Sequence, residues 1–440
     1  MAKKINLEAL IKNGDFQRAG AALPVVDSVC IDSRKCKPGS LFVALPGEQT
    51  DGHRFVDDAL ANGAAAVMVR EKQDIDCPQL IVKDTCRALQ HLAAAYRAQI
   101  DSYVIGITGS CGKTTLKEIL SELLTGRYTV GKTPGNYNNQ LGLPLTILNE
   151  GGREVLVAEV GTNGPGEIDF LTGVLQPDMG IITHIGPSHL QGLDTVEQVA
   201  REKSALLAGL KSDGVAFIPE NIRYRELLFK KSAAPVRTVG SSPAADYFVN
   251  VKRNCSGDLL ETGDFSLKLP LSRYEFLLNS ALAVAAARLL DVKVKTIKDV
   301  LSNFQIPAGR GRIIEVDGCR LIDDSYNANP DSMAAALRHL MRLSPPRLAV
   351  LGEMKELGAS AGRLHRELGE RLAELDDTEI HYVGAFAQQV AEGFGSDQIN
   401  FHKDAEELSD LNLSDFSSAL VKSSHAAGLY RLVEKWTDLK

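Results

Sequence analysis

Hydrophobic residues recur along this chain in two patterns, short continuous runs and stripes at helical spacing. In residues 1–85, apolar runs at 40–45, 63–69 and 79–83 alternate with helix-like segments, which is typical of a small α/β unit. A helix predicted at 86–99 leads out of this unit.

The middle of the chain repeats the alternation with strands that are apolar almost throughout. Such strands, each followed by a loop or a helix, indicate a parallel sheet that is covered on both faces. The predicted strands lie at 103–108, 155–161, 179–186 and 214–221, followed by a polar β-like stretch at about 235–270 and helices near 277–290 and 294–304.

A third α/β alternation begins after the stretch IPAGRGR (306–312). We therefore predict an α/β protein of three domains, 1–85, 86–308 and 309–440, with a central P-loop-type parallel sheet and a C-terminal Rossmann-like domain. The strands predicted in the third domain lie within 319–330, 347–354, 380–385 and 418–423.

Composition narrows the class of protein. The 440 residues are 44% hydrophobic and 24% charged, which is ordinary for a globular protein. A net charge of −7 argues against a general nucleic-acid binder, and no apolar run predicts a membrane span or a signal peptide. Seven scattered cysteines without a CxxC pair favour reduced thiols in a cytoplasm over a disulfide framework or a zinc site.

The stretch GITGSCGKTT (106–115) lies between a predicted strand and a predicted amphipathic helix, and it has the composition of a phosphate-binding loop. It departs from the strict GxxxxGK[ST] pattern because position 107 is isoleucine. Its glycines still let backbone N–H groups turn toward an anion, Lys113 can reach the β- and γ-phosphates, and Thr114 can offer a hydroxyl to Mg²⁺. We predict ATP contacts from Gly109, Ser110, Cys111, Gly112, Lys113, Thr114 and Thr115.

Three further polar residues are predicted near the carboxyl edge of the central sheet, where ligands of open α/β sheets bind. Glu159 ends one strand, His189 follows the next, and Lys203 lies on a predicted helix. Singly, each has an ordinary structural explanation: a capped charge, a hydrogen-bonded histidine and a solvated helix face. Together with the phosphate loop they indicate phosphate transfer to a carboxylate, because such transfer needs a metal ion to offset negative charge.

Six stretches spread over most of the chain resemble one known family, the ATP-dependent Mur ligases of peptidoglycan synthesis. The segment at 32–69 is similar to the UDP-binding module of that family, and TGSCGKTT (108–115) is similar to its ATP loop. Four others resemble the branch of the family that adds a D-Ala-D-Ala dipeptide: TPGNYNNQLGLPLTIL (133–148), EVGTNGPGEI (159–168), DDSYNANPDSM (323–333) and LGEMKELG (351–358).

The resemblance implies a ligase that uses ATP and Mg²⁺ to join D-Ala-D-Ala to UDP-N-acetylmuramoyl-tripeptide through an acyl phosphate. It implies a cytoplasmic enzyme of cell-wall synthesis that has small-molecule substrates, no nucleic-acid partner and no membrane insertion, and we expect a monomer. Two other interpretations stay open at this point: a non-catalytic nucleotide-binding paralogue, and another amide ligase such as folylpolyglutamate synthetase.

The resemblance also implies roles for individual residues. Lys113, His189 and Lys203 match catalytic positions, and Lys203 matches a lysine that relatives often carry as a carbamate. The positions that match metal ligands are Thr114, Glu159, His189 and Lys203. Beyond the loop, the positions that match nucleotide contacts are Asn279, Arg310, Asp324 and Tyr326. The positions that match substrate contacts are Asn138 and Asn139 for the muramoyl peptide, and Asp32, Ser33 and Arg34 for UDP.

Two stretches depart from the family pattern. RYEFLLN (273–279) keeps only its final Asn279, and VKSSH (421–425) keeps Lys422. His365, in GRLHREL, stays open between a substrate contact and a brace of the backbone.

Overall fold

The computed structural model describes residues 4–11, 15–47, 50–254, 257–269, 274–396 and 398–437. Its N-terminal part contains the strands β1 (Ile5–Asn6), β2 (Gln17–Ala19), β3 (Val25–Val26), β4 (Ser28–Cys30), β5 (Ser40–Val43), β6 (Ala64–Val69) and β7 (Gln79–Ile81), and the helices α1 (Leu7–Leu10) and α2 (Val56–Ala61). Strands β4 to β7 pair in parallel, β2 adds an antiparallel edge, and β1 pairs with β3.

Helix α3 (Thr85–Arg97) leads into the central sheet, whose strands are β8 (Tyr103–Thr108), β9 (Val130–Lys132), β10 (Val155–Glu159), β11 (Met179–Ile182), β12 (Val215–Pro219), β13 (Val236–Gly240), β14 (Tyr247–Asn254), β15 (Gly257–Thr262) and β16 (Ser266–Leu269). Their order is β16-β15-β14-β13-β12-β11-β8-β10-β9. Neighbours are parallel from β9 through β14 and antiparallel from β14 to β16. The helices of this part are α4 (Lys113–Thr125), α5 (Gly142–Glu150), α6 (Glu167–Leu175), α7 (Leu190–Leu193), α8 (Val196–Ala208), α9 (Arg225–Lys231), α10 (Tyr274–Leu289) and α11 (Val294–Asn303).

The central strands are apolar on both faces because helices cover both. On β8, Val104 packs toward α3, α5 and α6, while Ile105 and Ile107 pack toward α4 and α10. Successive side chains of a strand point to opposite faces, so a strand covered on both sides must be apolar throughout. The prediction of a covered parallel sheet is confirmed.

The C-terminal part contains the strands β17 (Arg312–Val316), β18 (Cys319–Asp324), β19 (Arg347–Gly352), β20 (Thr378–Val383), β21 (Ile399–His402) and β22 (Ser418–Lys422), and the helices α12 (Pro330–Leu340), α13 (Ala361–Leu372), α14 (Ala387–Phe394) and α15 (Tyr430–Trp436). The sheet has the order β17-β18-β22-β19-β20-β21 and is parallel except for β17. Helices pack on both faces. The predicted α/β class with three sheet-based units, the last of them Rossmann-like, is confirmed, while the domain limits stay a prediction.

One prediction about the cysteines is wrong. The structure joins Cys30, at the end of β4, to Cys36 in a disulfide whose Cα atoms are 5.9 Å apart. A short helical turn at 33–35 folds the chain back between them, so their six-residue spacing suffices for a bond without any CxxC pair. Cys77, Cys86, Cys111 and Cys319 form no disulfide, and Cys255 lies outside the described residues.

Within the described part of the chain, no helix combines the length and the apolar character that a membrane crossing requires.

Arg97 ties α3 to the end of α6, and its replacement should destabilise the protein. The side chain is buried and donates hydrogen bonds to the carbonyl oxygens of Ile100, Leu175 and Gln176 at 3.2, 2.8 and 3.0 Å. Arg97→Met leaves these acceptors unpaired, so we expect a loss of about 3 kcal/mol, seen as a thermal midpoint lower by roughly 5 °C or more. Arg87→Met, at an exposed position of the same helix, is the control and should change little. Equal midpoints for the two variants would contradict the assigned role.

Candidate active site

The phosphate loop follows β8 and ends at the start of α4. Gly112 has φ +83° and precedes the helix in the left-handed conformation, where a Cβ atom would also lie 2.8 Å from the side-chain amide nitrogen of Asn279. Lys113 donates to the carbonyl oxygen of Gly109 at 2.9 Å, and burial lowers the pKa of this lysine. The backbone conformation of the loop is therefore typical of an anion-binding site, and the Asn279 side chain packs against the loop.

Glu159 ends β10 with its carboxylate almost fully buried. One carboxylate oxygen accepts a hydrogen bond from the Thr114 hydroxyl at 2.9 Å, and the other accepts one from the amide of Asn138 at 2.8 Å. The loop at 136–139 and the first turn of α4 are thereby joined through a single carboxylate.

His189 contacts a carboxylate that the sequence analysis did not assign. Both His189 and Glu356 have left-handed backbones, with φ of 53° and 62°. An oxygen of Glu356 lies 2.6 Å from Nδ1 of His189, and the backbone N–H of Gln191 donates to the Glu356 carbonyl at 3.0 Å. Burial lowers the pKa of His189, while Glu356 acts in the opposite direction. Glu356 belongs to LGEMKELG, a stretch noted above only for its resemblance.

Lys203 lies on α8, is 1% exposed and does not line the main cavity. Burial is the largest cause that lowers its pKa, to about 7, and the charge of Lys113 lowers it further. An amine with this pKa is largely neutral just above neutral pH, which is unusual for a lysine.

The C-terminal part supplies one wall of the site. The guanidinium of Arg310 lies 3.7 Å from the centre of the Tyr326 ring, and burial lowers the pKa of this arginine. Asp324 accepts a hydrogen bond from the buried ammonium of Lys422 at 2.6 Å. The amide of Asn329 donates to the carbonyl oxygen of Ser110 at 3.1 Å, so the C-terminal part touches the phosphate loop directly.

These groups surround one cavity of about 520 Å³. The predicted residues that line it are Ser110, Cys111, Gly112, Lys113, Thr114, Thr115, Asn138, Asn139, Glu159, His189, Asn279, Arg310, Asp324 and Tyr326. Lining residues that the sequence analysis did not assign include Asn163, Glu167, Asn327, Asn329, Lys355, Glu356, Ser424 and His425.

Asp32, Ser33 and Arg34 do not line this cavity. The carboxylate of Asp32 accepts two hydrogen bonds from the guanidinium of Arg34, both at 2.9 Å, and the Ser33 carbonyl accepts one from Asn62. His365 is also outside the cavity: it is buried, its Nε2 accepts the Met354 N–H at 3.0 Å, and so it braces the backbone.

The fold and the cavity are those of an α/β protein with a phosphate-loop-like turn at the start of α4. Residues 107–287 match the Mur ligase middle domain, residues 309–421 match the domain described as "Mur ligase, glutamate ligase domain", and residues 25–102 match "Mur ligase family, catalytic domain". The chain belongs to the Mur ligase family and is an enzyme of the ligase class, as the resemblance predicted.

Relatives align along nearly the whole chain. A protein of Bacillus subtilis named UDP-N-acetylmuramoyl-tripeptide–D-alanyl-D-alanine ligase is 33% identical over 428 residues, covering 93% of each chain. A crystal structure of MurF from Acinetobacter baumannii has a TM-score of 0.90 at 30% identity and covers 99% of both chains. The MurF ligase of Thermotoga maritima in complex with ADP has a TM-score of 0.81 at 30% identity, covering 94% of this chain and 97% of its own.

The contact between Glu356 and His189 predicts a pKa change. A nearby carboxylate stabilises the imidazolium form, so Glu356→Gln should move the pKa of His189 further below its ordinary value. NMR titration of the histidine ring signals, with His189 assigned by substitution, measures the shift. Glu367→Gln, at a half-exposed glutamate on α13, is the matched control and should leave His189 unchanged. A His189 pKa that does not fall in Glu356→Gln would rule out the charge contact.

Proposed function

We propose that this protein joins D-Ala-D-Ala to UDP-N-acetylmuramoyl-tripeptide at the expense of ATP, forming the UDP-muramoyl-pentapeptide precursor of peptidoglycan. The observation that carries the proposal is the single cavity in which Lys113, Glu159 and His189 of the central part meet Arg310 and Tyr326 of the C-terminal part. Relatives named for this reaction align over 93% of the chain and more.

The chemistry follows from the need for a leaving group better than hydroxide. The γ-phosphoryl group of ATP passes to the carboxylate of the tripeptide, which gives an acyl phosphate and ADP. The neutral amine of D-Ala-D-Ala attacks the acyl carbon, and the tetrahedral intermediate expels inorganic phosphate. Lys113 in the phosphate loop and Arg310 on the facing wall supply positive charge to the transferring group. Binding the reacting groups of all three reactants side by side in one site would also offset the entropic cost of their meeting.

The donor groups present fit the predicted Mg²⁺. The Thr114 hydroxyl and the Glu159 carboxylate offer hard oxygen atoms, and His189 offers an imidazole nitrogen. No cluster of three or more His, Cys, Asp or Glu side chains forms a metal site among the residues described, so nucleotide oxygens and a carbamate on Lys203 would complete the set. The ion, when bound, offsets the negative charge that builds up during phosphoryl transfer. Asn138 holds the second oxygen of Glu159 and so fixes the direction of the carboxylate.

We assign the remaining groups to the three reactants. Asn279, beside the phosphate loop, and Tyr326, under Arg310, suit the adenosine end of ATP, and Asp324 suits the ribose. Asn138 and Asn139 line the cavity and suit the muramoyl peptide. Asp32, Ser33 and Arg34 lie away from this cavity in the N-terminal part, which suits the distant UDP end of a long substrate.

Three broader features belong to the proposal. The domain limits are placed near 85 and 308, where the described sheets separate. The active form is expected to be a monomer, since the central and C-terminal parts of the same chain line one cavity. The location is the cytoplasm, where ATP and UDP-linked precursors are available, and the disulfide between Cys30 and Cys36 is then a bond that cytoplasmic reductants can open.

Two alternatives are weaker. Folylpolyglutamate synthase of Mycobacterium tuberculosis shares the fold over 79% of this chain at 16% identity, which leaves a fifth of the chain without a counterpart. A non-catalytic paralogue would have no need of a loop lysine, a buried carboxylate and a histidine around one cavity, and Lys113, Glu159 and His189 are all present there.

Lys203 should carry a carbamate. A neutral amine reacts with carbon dioxide, so with a pKa of about 7 the modified fraction should rise as the pH increases through 7 in bicarbonate. ¹³C NMR with labelled bicarbonate should show a carbamate signal in the wild type. Lys203→Arg should abolish this signal and lower the activity by at least about 100-fold. Lys211→Arg, at a half-exposed lysine just beyond α8, should keep the signal and the activity. A signal that survives in Lys203→Arg would refute the assignment.

The reaction itself is tested with purified protein, ATP, Mg²⁺, D-Ala-D-Ala and the UDP-muramoyl-tripeptide, with the diaminopimelate and L-lysine forms supplied separately. We expect phosphate release only in the complete mixture, together with the mass of the UDP-muramoyl-pentapeptide from one or both forms. Glu159→Gln should bind ATP yet release phosphate at least about 100-fold more slowly. Tight ATP binding without product from either form would favour the paralogue.

A further inference from the structure

Every polar group of Ser110, in the phosphate loop, is bonded to a partner outside that loop. Its N–H donates to the carbonyl oxygen of His184 and its hydroxyl to that of Gly186, both at 2.9 Å. The hydroxyl oxygen accepts the N–H of Gly186 at 3.0 Å and the hydroxyl of Ser188 at 2.9 Å, and the carbonyl oxygen accepts the amide of Asn329 at 3.1 Å. All but the last of these partners belong to the loop after β11, so that loop and Asn329 together set the position of Ser110.

The loop after β11 is itself contacted by helix α12 of the C-terminal part. Oδ2 of Asp331, in the first turn of α12, lies 2.8 Å from Nε2 of His184. An ionised carboxylate only accepts hydrogen bonds, so Nε2 carries the proton and donates it. Both side chains are mostly buried. A hydrogen bond to a charged acceptor that is shielded from water contributes more than an exposed ion pair.

Gly186 leaves the space that this contact requires. A Cβ atom at Gly186 would overlap Oδ2 of Asp331 and would lie 2.8 Å from Nε2 of His184. The φ angle of Gly186 lies outside the left-handed region, so the backbone conformation does not demand glycine here. The close approach of Asp331 is therefore the physical reason for a glycine at this position.

We propose that Asp331 is a positioning residue for phosphoryl transfer, because through His184 it fixes the loop that orients Ser110, three residues before Lys113. This inference rests on the proposed ligase function. Asp331 belongs to the C-terminal part and Ser110 to the central part, so docking of the two parts completes the geometry of the phosphate loop. Asn329 contacts Ser110 directly, and the start of α12 thus acts on one residue of the phosphate loop by two routes.

The first test does not depend on ligase activity. Hydrogen exchange of the full chain, followed by mass spectrometry, reports the local opening of backbone N–H groups. Peptides that contain Ser110 and Gly186 should exchange at least about 10-fold faster in Asp331→Ala than in the wild type, because a hydrogen bond to a charged group is lost. Arg223→Met is the control: it removes an exposed side chain that lies 3.3 Å from the same Asp331 oxygen, and it should leave the exchange near that of the wild type.

Gly186→Ala is a second variant, and it leaves Asp331 and the start of α12 unchanged. Its Cβ atom displaces the carboxylate from His184, so the peptide that contains Ser110 should again exchange faster than in the wild type. Wild-type exchange of this peptide in Asp331→Ala would overturn the proposal.

Kinetics separate positioning from a general loss of stability. Asp331→Ala should lower kcat at least about 10-fold and change the KM for ATP by less than about three-fold, because the contact acts when the two parts are docked for phosphoryl transfer. Asp331→Asn keeps a hydrogen-bond acceptor and should retain more activity than Asp331→Ala. His184→Ala should resemble Asp331→Ala, and the double variant should be no slower than the slower single variant.

The competing explanation is that Asp331 only stabilises the start of α12. In that case the losses in Asp331→Ala and His184→Ala multiply in the double variant, which would contradict the positioning role. A wild type that forms the pentapeptide beside an equally active Asp331→Ala would refute this inference alone. A wild type that forms no product would refute the proposed function and this inference with it.

Discussion

The buried carboxylate of Glu159 is the group on which the rest of the active site depends. A carboxylate that is 2% exposed is costly unless donors surround it, and here Thr114 and Asn138 each give it a hydrogen bond. The phosphate-loop helix and the loop that carries Asn138 and Asn139 are therefore fixed relative to one pair of oxygen atoms. Lys117, fully buried one turn along α4, adds a second tie because it donates to the Thr133 carbonyl at 2.8 Å.

The C-terminal part completes the site through contacts with the loops after β8 and β11. Asn329 bonds to Ser110, Glu356 contacts His189, and Asp331 lies 2.8 Å from the ring of His184. An acyl phosphate is hydrolysed by water, so a site that makes one must be closed while the intermediate exists. Walls drawn from two parts of the chain meet this need, because the cavity is complete only while they are docked.

The sequence predicted what is local and missed what is distant. A strand, a loop and a helix in succession place Lys113 and Thr114 without any tertiary information, and the end of an apolar run places Glu159. The pairs Lys422–Asp324 and Glu356–His189 join residues far apart in the chain, and no local pattern records such pairing. Strand β17 was missed because its residues are only half-buried, although Asp317 and Gly318, both at positive φ, are the turn signal that could have revealed it.

Two lysines, Lys113 and Lys203, contribute to the charge balance of the proposed site. Burial lowers the pKa of both Lys113 and Lys203, and the charge of Lys113 lowers the pKa of Lys203 further, to about 7. A carbamate on Lys203 then adds a negative charge near Glu159, which is favourable only when Lys113 or a metal ion balances it. Binding of the metal and binding of carbon dioxide are in that case thermodynamically linked, and each must favour the other by the same free energy. The proposed enzyme would then gain its full metal affinity only where bicarbonate is present.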